Sequence, residues 1–225
     1  MKTAIVIPTY NEAENIVDLL NELGTFGARI IIVDDSSPDG TADLASEKAT
    51  VIKRENKSGL GSAYVEGFRK ALDLDAETIV QMDADFSHSA KDLARMLKLV
   101  AHGDLIIGSR YMPGGKIKGW GPWRHVCSRS AMFVSRHFLK LPVRDVTSGF
   151  RIWRAPLLSK ILEKPIASSG YAFQEEMLFH AWKAGARIVE TPIVFRDRVK
   201  GRSKLGHADV KEFFQVLLYL RRQKN

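Results

Sequence analysis

The chain has 225 residues, 45% of them hydrophobic and 27% charged, which is apolar material enough for one large α/β domain and excludes a disordered or low-complexity chain. Its formal charge of +8 favours a polyanionic partner, whether a phosphorylated substrate, an acidic membrane surface or a nucleic acid, although plain solubility would ask for the same excess. The one cysteine, Cys127, excludes an internal disulfide, suits a reducing compartment and, in a helix-like stretch, reads as a packed thiol rather than a nucleophile.

The predicted elements alternate through the first half. Residues 4–7 read as a strand, without the long apolar stretch of a secretory leader. A helix follows over 12–23, with Ile16, Leu19, Leu20 and Leu23 at helical spacing and Gly24 and Gly27 behind it. The apolar run 30–33 predicts a buried strand, 34–40 a loop, and a helix begins near Thr41. Then come a short strand at 51–52, a helix over 63–72, a strand over 78–82, a helix over 90–100 and a strand over 105–107. This rhythm predicts a mainly parallel central sheet flanked by helices. After Gly108 the rhythm breaks. The Gly- and Pro-rich stretch 112–122 reads as a mobile loop, 124–139 as a helix, 145–176 as turns and short helices, 187–195 as a strand and 207–220 as a closing helix. That last helix carries Val210, Phe213, Phe214 and Leu217 as an expected core stripe, with membrane contact the second reading. No apolar run approaches the ~20 residues that cross a bilayer.

Two acidic clusters stand behind apolar runs: Asp34-Asp35 and Asp83-Ala84-Asp85. In parallel sheets, ligands bind beyond the carboxyl ends of the strands. In an extended Asp-x-Asp the alternate side chains point the same way and can meet one hard cation, which in turn holds a diphosphate. Consecutive Asp34 and Asp35 repel, so Asp35 is expected to face a ribose or base and gain a donor there. In Pro8-Thr9-Tyr10-Asn11-Glu12, Asn11 reads as a helix cap, with Tyr10 against a flat base as the functional alternative. Gly59-Leu60-Gly61 lacks the third glycine of a dinucleotide fingerprint, and Gly115-Lys116 lacks the first glycine of a phosphate-binding P-loop. Arg124 and Ser128 fall on one helix face. Arg196, Arg198, Lys200, Arg202 and Lys204 recur at every second position. A basic segment facing an acidic cation site is what two bound phosphates require.

Taken together the motifs are recognisable. Pro8-Thr9-Tyr10-Asn11-Glu12, Asp34-Asp35-x-Ser37-x-Asp39-Gly40-Thr41, Asp83-Ala84-Asp85-Phe86-Ser87-His88 and Gly108-Ser109-Arg110-Tyr111 occur in order. Asp145-Val146-Thr147-Ser148-Gly149-Phe150-Arg151, Gly170-Tyr171-x-Phe173-Gln174-x-Glu176-Met177 and Arg198-Val199-x-Gly201-x-Ser203-Lys204-Leu205-Gly206 complete the set. The chain closely resembles the polyprenol (dolichol) phosphate mannosyltransferases, within the inverting glycosyltransferase family 2 and its GT-A type nucleotide-sugar-binding fold. The resemblance implies a single domain over 1–225, its nucleotide-binding half about 1–108 and its acceptor-binding half about 109–225. It implies that Pro8, Tyr10, Glu12, Val33 and Asp35 hold the nucleoside. Asp83 and Asp85 would bind Mg or Mn with the donor diphosphate, and Ala84 would line that site. Arg110, Arg198 and Lys204 would contact donor or acceptor phosphates; Arg124 and Ser128 match positions linked with the lipid phosphate. Ser87 stands where some relatives place Gln near the metal. Gln174 or Glu176 would orient sugar or acceptor.

The implied reaction is transfer of mannose from GDP-mannose to a polyprenyl phosphate, on the cytoplasmic face of a membrane. Docking there would rest on the loops, the closing helix or a membrane-anchoring subunit. Another sugar nucleotide such as UDP-glucose is the nearest alternative. A sugar-nucleotide sensor without catalysis is a further one. A nucleic-acid-binding protein is disfavoured, because the basic residues do not sit on a recognition helix.

Overall fold

The computed structural model describes residues 2–197 and 207–223, the side chains of 207–209 excepted. Strands β1 (Thr3–Thr9), β2 (Arg29–Asp34), β3 (Thr50–Lys53), β4 (Thr78–Gln81) and β5 (Leu105–Ser109) follow the apolar runs. Between them lie helices α1 (Ala13–Gly24), α2 (Thr41–Ser46), α3 (Leu60–Asp73) and α4 (Ala90–Leu97). The second half adds β6 (Lys116–Lys118), α5 (Pro122–Leu139), β7 (Arg151–Arg154), α6 (Ala155–Leu162), α7 (Phe173–Lys183), β8 (Ile188–Pro192), β9 (Val194–Arg196) and α8 (His207–Arg222).

Seven strands form one sheet in the order β3-β2-β1-β4-β7-β5-β8. All neighbours run parallel except β7, which is antiparallel to both β4 and β5. Alternate residues of one strand feed opposite faces, as the pleat demands. Ala4 and Val6 join a cluster with Tyr64, Phe68 and Phe173; Ile5 and Ile7 join one with Ile16, Leu20 and Met96. The sheet is thus covered on both sides, which is why its strands read as unbroken apolar runs. Helix α3 lies so close to β1 and β2 that a Cβ on Gly67 would stand 2.3 Å from Val6 Cγ1 and 2.9 Å from Val33 Cγ2.

Several elements differ from the sequence reading. The stretch 145–176 contains β7, inserted between β4 and β5. The supposed loop 112–122 contains β6, which pairs in parallel with β9 as a separate two-stranded ribbon. The expected strand over 187–195 is two strands, broken at the buried Ile193. Cys127 is exposed, not packed. The buried stripe of α8 is Val216, Leu217 and Leu220 with Phe213 partly buried. Val210 and Phe214, expected in the core, lie on the exposed side.

Candidate active site

One edge of the sheet gathers the site. It holds the carboxyl ends of β1, β2, β4 and β5 and, because β7 is reversed, the 145–149 loop that enters it.

At the β1–β2 end, the repulsion between adjacent carboxylates is resolved by giving each its own donors. Asp34 accepts from Thr9 Oγ1 at 2.8 Å, Ser37 N at 2.8 Å and Ser37 Oγ at 2.6 Å. Asp35 pairs with Arg54 at 2.6 Å and accepts from the Ser58 and Gly59 amides at 3.3 and 3.1 Å. Asp35, expected to gain its donor from a ribose or base, takes one from within the protein, Arg54, itself bonded to Ser62 and paired with Glu66. Asn11 is not the cap of α1. It adopts the left-handed conformation (φ 58°), and the amides at the helix entrance bond to the next loop instead: Asn11 N to Ser37, Glu12 N to Thr41 and Ala13 N to Asp39. Thr41 also holds Asp39, whose carboxyl lies below its ordinary range; burial opposes this, and bonds from Thr41 and Ala13 outweigh it. Lys57 Nζ covers the Tyr10 ring at 3.9 Å. Pro8 and Glu12 are half-buried nearby, whereas Val33 is fully buried against Gly67 and forms the floor beneath the site.

Asp83 and Asp85 follow β4, where the chain leaves the strand and bends over residues 84–86. Both are half-buried, and Ala84 between them is buried. Tyr64 Oη donates to Asp83 Oδ1 at 3.0 Å, and His88 Nε2 lies 3.4 Å from Asp83 Oδ2. Asp85 Oδ1 accepts from the Ser87 amide at 3.1 Å. Both carboxylates bear on Tyr64, whose phenol is pushed well above its usual range by burial and then by these two charges. Among the described residues, no cluster of three His, Cys, Asp or Glu is placed to hold a metal. A pair of carboxylates still fits Mg or Mn, because such cations take one or two carboxylates and complete their shell with water and phosphate oxygens. A Cβ on Gly149 would lie 3.6 and 3.8 Å from the Asp83 oxygens and 3.4 Å from Gln174 Nε2, so these three residues converge.

Beneath lies a buried layer of charge in which the sequence reading gave roles to Arg110, Gln174 and Glu176 but none to Asp145, Arg151 or Glu175. Arg110 donates its amide, Nε and Nη2 to Asp145 at 2.8, 2.9 and 2.8 Å, and Nη2 also to Thr147 at 2.6 Å. Burial works against the Arg110 charge, but Asp145 outweighs it and raises the guanidinium above its ordinary value; Asp83 adds to the effect. Arg110, expected to grip phosphate, is thus held from behind, with 8% of its side chain exposed. Arg151 is fully buried and donates to the carbonyls of Gln174 and Val146 at 2.8 and 2.9 Å. Burial lowers its guanidinium to about 10 and lifts the neighbouring Glu175 carboxyl to about 7. Gln174 Oε1 accepts from Gln81 Nε2 at 2.8 Å, and Gln81 in turn accepts from Trp153 Nε1 at 3.0 Å. Glu176 turns away from the site. It accepts from the Ala167 and Ser168 amides at 2.8 Å and from the Ser168 hydroxyl, which fastens the loop before α7.

The remaining wall is the β6–β9 ribbon and the start of α5. Arg124 Nη1 reaches both Asp197 oxygens at 2.8 Å and lies over the Trp120 ring at 4.4 Å. Ser128 Oγ is 3.1 Å from Tyr111 Oη. Strand β9 rests on the carboxylate loop: Arg196 N donates to the Ser87 carbonyl at 3.3 Å, and Phe195 meets His88 edge-on at 5.7 Å. The backbone of Arg196, where the basic run of the sequence starts, is thus tied to the loop that carries Asp85. Arg198 and Lys204 lie outside the described residues.

Residues 4–162 match the model of the family described as Glycosyl transferase family 2. The chain is 40% identical, over 94% of its length and 83% of the relative, to a polyprenol monophosphomannose synthase of Mycolicibacterium smegmatis. It is 41% identical, over 94% of its length and 90% of the relative, to an undecaprenyl-phosphate mannosyltransferase of Micrococcus luteus. Among solved structures, a mycobacterial protein superposes with a TM-score of 0.69 at 16% identity, over 99% of this chain and 71% of that one. A cytidylyltransferase of Leptospira borgpetersenii does so with 0.54 at 12% identity, over 98% and 96%. At these identities the two structures speak for the fold alone.

Proposed function

Because the chain belongs to glycosyltransferase family 2, we propose that it transfers mannose from GDP-mannose to a polyprenyl phosphate, with inversion at the anomeric carbon. The observation that carries this reading is the carboxylate pair behind β4, with the buried Arg110 near enough to feel the charge of Asp83. A carboxylate pair ends β4, and the basic run starts on the backbone of the same loop through Arg196 and Ser87. Such a pairing of acid and base suits two anions held face to face, a sugar diphosphate and a lipid phosphate. The names of the two relatives supply the sugar and the lipid.

The nucleoside end would be Tyr10, Pro8, Glu12 and Asp35, with Arg54 holding Asp35 in place. A divalent cation, Mg or Mn, held by Asp83 and Asp85 would supply charge neutralisation for the departing diphosphate. Arg110, fixed by Asp145, contributes a positive field from below, and Arg198 and Lys204 are assigned to the phosphates themselves. Arg124 and Ser128 are assigned to the acceptor headgroup, for which Arg124 would exchange Asp197. The lipid monophosphate needs no base: its second pKa is about 6, so it is mostly dianionic at neutral pH. Its oxygen attacks the anomeric carbon in line as the diphosphate leaves. Gln174, oriented by Gln81, is assigned to the sugar.

The same reading sets the protein on the cytoplasmic face of a membrane. No described helix is long and apolar enough to cross one. Helices α5 and α8 pack together, Arg221 donating to the Phe138 carbonyl at 2.6 Å, and they leave Trp123, Val126, Phe133, Val210, Phe214 and Leu218 exposed. Arg129, Arg136 and Arg222 are exposed on the same helices. An apolar stripe with basic flanks suits an anionic interface.

The test is transfer itself. Protein is incubated with radiolabelled GDP-mannose or UDP-glucose, Mg or Mn, and a short polyprenyl phosphate. Label moving to the organic phase from GDP-mannose alone supports the reading. Transfer from UDP-glucose instead would replace the sugar, and binding without transfer would make the protein a sensor.

A further inference from the structure

We propose that Tyr64, by its hydrogen bond, and His88, by the buried ring it sets beside the other oxygen, are positioning residues for the Asp83 carboxylate and its cation; the inference rests on reading Asp83 as a cation ligand. Asp83 is the less sheltered partner in each contact, with 37% of its side chain exposed. Left alone, such a carboxylate would rotate, and ordering it on binding would cost affinity. Tyr64 comes from α3 and takes one oxygen; His88 comes from the loop after β4 and faces the other.

Neither ring can follow a moving carboxylate. Tyr64 is fully buried and stacks on Phe173, centroids 5.7 Å apart and planes 6° from parallel, with Phe68 at 5.6 Å. His88 is 4% exposed and stacks on Phe150 at 4.5 Å, with Phe195 edge-on beyond it. Neither His88 nitrogen finds a hydrogen-bond partner among the described residues; Nε2 stands 3.4 Å from Asp83 Oδ2, the nearest carboxylate to this buried ring. The hydrogen bond from Tyr64 fixes the carboxylate plane through a single oxygen. Gly149 keeps the adjoining side uncrowded, since a Cβ there would come within 3.6 and 3.8 Å of the same oxygens. Groups that orient a metal ligand commonly govern affinity by about 10–100-fold when removed.

The bland account is that both residues merely fill the core. Tyr64→Phe keeps the ring and its stack and deletes the hydroxyl; His88→Phe keeps the stack and deletes both nitrogens. Mn2+ is titrated into each protein with saturating GDP and followed by electron paramagnetic resonance, beside thermal unfolding. The expected result is Mn2+ binding weakened about 10–100-fold in Tyr64→Phe, with unfolding temperature near wild type and the KM for Mn2+ in transfer raised before kcat falls. Tyr64→Phe binding Mn2+ as wild type does overturns the proposal, and that variant decides alone if His88→Phe fails to fold. Wild type and Asp83→Asn binding Mn2+ equally would remove the cation reading itself, a distinct failure that takes this inference with it.

Discussion

Replacing Glu175 by Gln is expected to stabilise the protein above neutral pH and to leave it nearly unchanged in acid. Glu175 is 3% exposed on the first turn of α7. Burial lifts its carboxyl from 4.5 to about 7, against the pull of Arg151 and Arg110 and with some push from Asp145. Between those values the folded chain keeps a proton that the unfolded chain has released. Stability therefore falls as pH rises through this window and levels off above it. The depth follows from a rise of about 2.5 pH units at about 1.4 kcal/mol each, or about 3 kcal/mol. Gln imitates the neutral acid, so the variant should gain most of that amount at about pH 8 and little at about pH 5. Urea unfolding of both proteins at these two values measures the difference directly. Curves for variant and wild type that stay parallel across the window would refute the reasoning, and a variant less stable at pH 8 would show that the attraction to Arg151 outweighs burial.

Asp85→Ala is expected to abolish transfer while the unfolding transition stays in place, because the side chain is half-buried on a bend; transfer by this variant after metal removal would contradict its role. Gly149→Ala should fold normally, since its methyl meets neighbours at no less than 3.4 Å, yet lower cation and donor affinity about tenfold, about 1.4 kcal/mol, by filling space beside Asp83 and Gln174 that the bound ligands would take. Asp145→Ala leaves Arg110 buried without its charge partner and should cost about 3–5 kcal/mol in urea unfolding. Arg124→Ala should raise the KM for the lipid acceptor; a change in donor affinity alone would reassign that residue.

The sheet was legible because both of its faces are covered: Ile30 to Val33 is an unbroken apolar run for that reason. The position of Asp83-Ala84-Asp85 at the sheet edge was legible too, since it follows directly on the apolar run of β4. Strand β7 was not, because Arg-Ile-Trp-Arg looks like a solvated turn until Arg151 is seen donating to carbonyls of residues 146 and 174. No local pattern announces a buried guanidinium whose partners come from elsewhere in the fold. Tyr64 was hidden for the opposite reason: on an apolar helix stripe with Phe68 it reads as core, and only the sheet register brings its hydroxyl to Asp83. Glu212 was equally silent, yet it accepts from the Ser169 amide at 2.7 Å and from Gly170, tying α8 to the loop before α7. On α8 the periodicity was right and its phase was not. Helical spacing gives the width of a stripe, but Phe213 and Leu217 fit two overlapping ones, and packing against α5 selected the one through Val216 and Leu220.

If diphosphate and lipid headgroup meet between acid and base, a manganese ion must mark the spot. Crystals grown with Mn2+ and GDP, measured at the manganese edge, should show one strong anomalous peak in contact with Asp83 and Asp85 and with the diphosphate oxygens. A nucleotide bound at this edge with the peak absent, or a peak lying away from both aspartates, would contradict the account.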